Sequence, residues 1–136
     1  ASVRTVADIH SSLWRKLISN AVGGGIAVLA RRGNALFRGD AEALGLARAL
    51  GEEVLAVARA DGALLDDSVL DVLLTTLGQG SAHPPSIVVD RIAGRPTEWV
   101  ERNRIVVDKG REHGVQTPLN RMLATLIRVG EPVRAE

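Results

Sequence analysis

Apolar residues recur at helical intervals along almost the whole chain, and no window alternates convincingly with period two. Between residues 7 and 30, Ile9, Leu13, Leu17 and Ala21 follow one another at four-residue steps, which predicts an amphipathic helix with that stripe turned inward. RRGNALFRG comes next as a turn-rich loop. Asp40 is placed to cap a second helix, whose stripe is Leu44, Ala47, Leu50, Val54, Val57 and Ala58 and whose stop is Gly62. Asp66 or Asp67 opens a third, with Val69, Leu70, Leu73, Leu74 and Leu77 inward and Gly78 at its end. GQGSAHPP reads as a loop and SIVVDRIA as a short fourth helix. Pro96 and Thr97 start a fifth helix, which runs through Trp99, Ile105 and Val106 to Gly114. The clearest segment is TPLNRMLATLIRVG, with Thr117 as cap, Pro118 in the first turn, Leu119, Met122, Leu123 and Leu126 inward, and Gly130 as stop. With residues 1–5 and 131–136 as frayed ends, the pattern predicts a single all-α domain of five or six helices spanning residues 1–136.

Composition narrows the partners. A chain of 136 residues, 46% hydrophobic and 24% charged, can bury a core and reads as soluble and globular. Its formal net charge of +1 argues against binding nucleic acid or an anionic membrane surface. Three aromatic residues, Trp14, Phe37 and Trp99, leave little for base stacking. With no cysteine, disulfides, thiol catalysis and cysteine-ligated zinc are excluded. His10, His83 and His113 have no metal-ligand spacing and read as surface or loop residues, so no metal site is expected. The apolar run from Val22 to Ala30 is too short and glycine-rich to span a bilayer, and nothing resembles a signal peptide, so cytoplasm is the expected location. Because the chain begins with Ala1, an upstream piece is expected to have been removed.

Of the 17 basic side chains only Lys16 and Lys109 are lysines; the other 15 are arginines. Arginine carries charge at least as well, but it cannot give up a proton, whereas a desolvated lysine can. Lys16 and Asn20 lie four residues apart on one helical face in WRKLISN, an arrangement suited to proton transfer or to nothing more than a solvated stripe. Gly23, Gly24 and Gly25 follow inside the helix, at a cost of about 1 kcal/mol each relative to alanine, which requires close helix packing or room for a ligand. They do not form a dinucleotide fingerprint, since the preceding segment is helical and position 28 is valine. Ser86 and Asp90 share a helical face; Ser86 and Thr97 can serve as caps and Glu98 as a first-turn acid. Glu52 and Glu53 read as a solvated face, and REHGVQTPLNRML has a helix–turn–helix look that the near-zero net charge disfavours as a DNA reader.

Four segments in order, IHSSLWRKLISN, LGEEVLAVARADG, SIVVDRIAGRPTEW and REHGVQTPLNRML, resemble the C-terminal domain of the ketopantoate reductase family, over about Val3 to Val129. The resemblance implies an all-helical domain similar to the C-terminal domain of 6-phosphogluconate dehydrogenase, following a Rossmann domain that this chain does not contain. It implies an NADPH-dependent 2-dehydropantoate 2-reductase in which Lys16 is the general acid, Asn20 and Ser86 bind substrate, Glu98 contacts the cofactor ribose and organises the lysine, and Asp90 is structural. Two positions depart from the family pattern: Gly24 stands where a second asparagine is common, and Asn103–Arg104 where Asn-Gly is favoured. The 136-residue chain alone is expected to be inactive, as half of an enzyme that reduces 2-dehydropantoate or a related 2-keto acid, with a Rossmann domain in cis or in trans and a homodimer as expected partners. The alternative is a stand-alone, non-catalytic helical binding or dimerisation module of the same descent.

Overall fold

The computed structural model describes residues 5–80, 88–89, 92–94 and 99–131, with the side chains of 99–101 excepted. The described residues form helices and turns and contain no strand, as the pattern predicts. Ser86, Asp90 and Glu98, together with His83 and most of the expected fourth helix, lie outside them.

The first helix, α1, covers Val6–Ser19 and opens on a capping box, in which the Thr5 hydroxyl accepts from the Asp8 N–H and the Asp8 carboxylate accepts from the Thr5 N–H. It continues without a break through a π-helical turn, Asn20–Gly24, into α2, Gly25–Ala30. The helix expected over residues 7–30 is therefore present, but only half of the expected stripe faces inward: Ala21 is buried and Leu17 packs half-buried against the core, whereas Ile9 and Leu13 do not. Trp14, Ile18, Ala21 and Val22 are buried, while Leu13 is 63% and Ile9 47% exposed. Both faces of this helix are apolar, and the larger pair, Trp14 and Ile18, takes the core.

After a 3₁₀ turn at Asn34–Phe37, which buries Phe37 completely, α3 runs from Ala41–Ala60 with Asp40 accepting from the Ala43 N–H at 2.9 Å as its cap. Its expected stripe is the observed one, with Ala47, Leu50, Val54, Val57 and Ala58 buried. Gly62, with φ +94°, turns the chain out of the helix where a side chain would be strained. The next helix, α4, is Ser68–Gly78; Asp66 accepts from the Ser68 N–H at its start. Then come α5, Trp99–His113, and α6, Pro118–Val129, joined by a short turn into a helical hairpin. On α6, Leu123, Ala124 and Ile127 are buried, whereas Met122 and Leu126, expected inward, are about half exposed.

Two polar side chains correct the sequence-based expectations for α6. Thr117 occupies the cap position but makes no capping hydrogen bond. Glu53 of α3 does so instead, accepting from the N–H groups of Leu119 and Asn120 at 3.0 Å each and from Asn120 Nδ2 at 2.8 Å. Glu53 is thus an inter-helix cap and not part of a solvated face. No helix among the described residues is long and apolar enough to cross a membrane.

Candidate functional site

Lys16 and Asn20 are brought together on the rim of a cavity of about 450 Å³ between α1 and α4. Ser12 and Ser19 lie on the α1 side, with Val69, Val72 and Thr76 facing them from α4. Lys16 is exposed and has no hydrogen bond or ion pair to any described residue; Asn20 is half-buried at the first position of the π-turn. The mouth is polar and cationic and the far wall aliphatic, which suits a small acid with an apolar body. Among the described residues none covers Lys16, which is exposed.

The π-turn gives the glycine run its purpose. π-bulges inside α-helices occur frequently at functional sites. A Cβ on Gly23 would lie 2.8 Å from Leu77 Cδ2, and one on Gly25 would lie 2.8 Å from Leu123 Cδ2 and 3.2 Å from Asn103 Nδ2. Helices α4, α5 and α6 therefore close directly onto the backbone of the turn and the first residue of α2, so Gly23 and Gly25 serve packing. Asn103, fully buried on α5, donates from Nδ2 to the carbonyl of Ala21 at 3.0 Å and so ties the turn to the hairpin. This accounts for the asparagine of the Asn103–Arg104 pair. Gly24 is half-buried and does not line the cavity.

A second polar cluster, centred on Asp61, was missed by the sequence reading. Asp61 ends α3, and its carboxylate is 12% exposed. Trp14 Nε1 donates to Asp61 Oδ2 at 3.0 Å; His10 Nε2 lies 2.8 Å from the Asp61 carbonyl oxygen and 3.1 Å from Oδ2. From α5, His113 Nε2 lies 2.7 Å and Lys109 Nζ 3.6 Å from Oδ1. His10 and His113 are thus structural partners of one carboxylate, not free surface residues, and among the described residues no group of His, Asp and Glu is arranged to hold a metal. The cluster pins α1, the helix that carries Lys16, to the end of α3 and to α5. The second lysine belongs to this cluster: hydrogen bonding to Glu112 first, and then the charge of Asp61, push Lys109 above its ordinary value.

Burial works to raise the Asp61 carboxyl, but hydrogen bonds from His113 and Trp14 and the charges of Lys109 and His10 outweigh it and hold the group below its ordinary 3.8. A depressed carboxyl contributes stability that is complete above the unfolded value of about 3.9 and is lost as pH falls through the folded value. Asp61→Asn should therefore lower stability at pH 6 and flatten its decline between pH 4 and pH 2. Urea midpoints across that range check this; a decline as steep as that of the native chain would sink it.

The fold is that of the helical domain shared by a dimeric ketopantoate reductase from Staphylococcus aureus (TM-score 0.82, 25% identity, 90% of this chain and 43% of that one) and D-mandelate dehydrogenase in complex with NADH (TM-score 0.80, 27% identity, 91% and 43%). The family profile described as "Ketopantoate reductase PanE/ApbA C terminal" matches residues 8–131. The 2-dehydropantoate 2-reductase of Mycobacterium tuberculosis is 41% identical over 128 residues, which are 93% of this chain and 43% of that protein. The chain belongs to the ketopantoate reductase family, as its C-terminal domain. It spans less than half the length of the curated relatives it matches.

Proposed function

We propose that this chain is the substrate-side half of a cytoplasmic reductase that converts 2-dehydropantoate, or a closely related 2-keto acid, to the 2-hydroxy acid with NADPH. The observation that carries this reading is the placement of Lys16 and Asn20 on one wall of the α1–α4 cavity, at the π-turn, in a member of this family. The Lys16 ammonium polarises the keto oxygen and gives it a proton as the carbonyl carbon is reduced, stabilising the developing alkoxide. Asn20 orients the substrate by hydrogen bonding. Ser86, for the carboxylate end, and Glu98, for the cofactor ribose and the lysine, complete the set that the resemblance implies. The nicotinamide cofactor, when bound, supplies the hydride. The described residues can meet only the substrate end of it, since none forms the strand, glycine loop and helix that would hold a dinucleotide.

A Rossmann domain, in cis or in trans, is the partner this chemistry needs. We also infer a homodimer, for which Leu29, Leu46, Met122 and Leu126 line an apolar groove open to solvent. The test is to assay the longer protein that contains this chain for NADPH oxidation with 2-dehydropantoate and with a panel of 2-keto acids. Turnover with one of these acids, and none by the 136-residue chain alone, is expected. A longer protein that folds and turns over none of them with NADPH or NADH would favour the non-catalytic module, for which Gly24 at the second asparagine position already speaks.

A further inference from the structure

The formal net charge of +1 conceals an uneven distribution. On the outer face of the α5–α6 hairpin, away from Lys16, a cavity of about 170 Å³ is lined by Arg104 and Arg111 from α5 and Arg121 and Arg128 from α6, with Asp108 as the sole acid among the described residues. Each helix presents two arginines seven residues apart, which places them on one face about 10 Å apart along the axis. Arg111 and Arg121 also line an adjoining cavity of about 190 Å³ at the turn, so they mark one end of a continuous groove, and Arg104 and Arg128 mark the other. The floor is formed by Val107 and Ala124, both buried, and Ala124 is small enough to leave depth between the two rows.

All four guanidiniums are exposed, and none has an ion-pair partner among the described residues. Asp108, three residues from Arg111 and four from Arg104, could pair with either one and does so with neither within 4 Å. Arginine was to be expected at these positions, given its general use in this chain, so the choice of arginine over lysine carries no weight; the juxtaposition does. Four unpaired cations around one cleft cost repulsion that a bound polyanion would relieve, and they focus potential into the groove. Guanidinium forks match phosphate oxygens in bidentate geometry.

We propose that the α5–α6 groove binds a phosphate chain, a diphosphate or triphosphate group held between the Arg104/Arg128 and Arg111/Arg121 pairs. The site is separate from the Lys16 cavity, and nothing in the proposed reduction uses it.

Calorimetric titration of the chain with inorganic tripolyphosphate and, separately, with ATP tests this at low and at physiological salt. Saturable binding of tripolyphosphate is expected, weakened about tenfold or more by Arg104→Ala with Arg128→Ala and by Arg111→Ala with Arg121→Ala. Arg48→Ala, on the exposed face of α3, should leave binding unchanged, and circular dichroism should show both double variants folded. Equal affinities for tripolyphosphate and ATP would identify the free phosphate chain as the recognised element, and tighter ATP binding would identify a nucleotide; both support the site. Absence of saturable heat at low salt, equal loss on Arg48→Ala, or tighter binding of a short DNA duplex than of tripolyphosphate would overturn it.

Discussion

Replacing Lys16 by arginine in the longer enzyme is expected to lower kcat by about 10²- to 10⁴-fold, the range associated with loss of a positioned general acid. The folded state should be indifferent to the change. Lys16 is exposed and makes no hydrogen bond or ion pair to a described residue, so melting temperature should stay within the scatter of a surface substitution. Arginine keeps the positive charge over the cavity but cannot release the proton. Lys16→Ala removes both, so the gap between the two variants measures the electrostatic share of the stabilisation. Asn20→Ala, by contrast, should act mainly on KM if its role is to hold substrate before and during the step alike. Wild-type kcat in the arginine variant would dismiss proton donation by Lys16, whatever the substrate proves to be.

Lys16 and Asn20 could be paired from the sequence because their relation is local: an i, i+4 step survives any tertiary arrangement of the helix. Helix ends marked by Asp40, Gly62 and Pro118 were readable for the same reason. The inward face of α1 was not. Ile9, Leu13 and Leu17 form as regular a stripe as Trp14, Ile18 and Val22, and periodicity cannot choose between two apolar faces of one helix. The π-turn also changes the register beyond Asn20 without any signal in hydropathy. On α6, Met122 and Leu126 obey the helical period yet face a groove shared with Leu29 and Leu46.

The polar residues show the limit most plainly. Asp61 bonds to residues about fifty positions away in both directions, and Asn103 reaches Ala21 across 82 positions. Nothing near these residues announces such partners. Three of the four segments that carry the family resemblance contain such residues: Trp14 in the first, Glu53 and Asp61 in the second, His113 and Asn120 in the last. Those segments therefore carry polar scaffolding that ties helices together as well as the candidate site residues, while Ser86 and Glu98 rest on the resemblance alone.

Glu53 is where removal of that scaffolding should cost most. Its carboxylate takes three hydrogen bonds from α6, two of them from the backbone of the first turn, where N–H groups have no partner within the helix. Asn120, one of the donors, is fully buried. Its Nδ2 also reaches the Leu50 carbonyl at 3.1 Å, which fixes the register of α6 against α3. Glu53→Ala leaves two backbone donors and part of a buried amide without their partner; hydrogen bonds to a charged group contribute about 1.5–3 kcal/mol each, net of exchange with water, and since the freed N–H groups at the partly exposed start of α6 regain water, a loss of about 3 kcal/mol is expected. Glu53→Gln keeps the shape but offers one acceptor oxygen in place of two, and should fall about midway. Glu52→Ala, on the exposed side of the same helix, should stay within about 0.5 kcal/mol of the native chain. Urea unfolding with an unchanged m-value reads all three. If Glu53→Ala matched Glu52→Ala, α6 would be held by its apolar face alone and Glu53 would contribute nothing measurable as its cap.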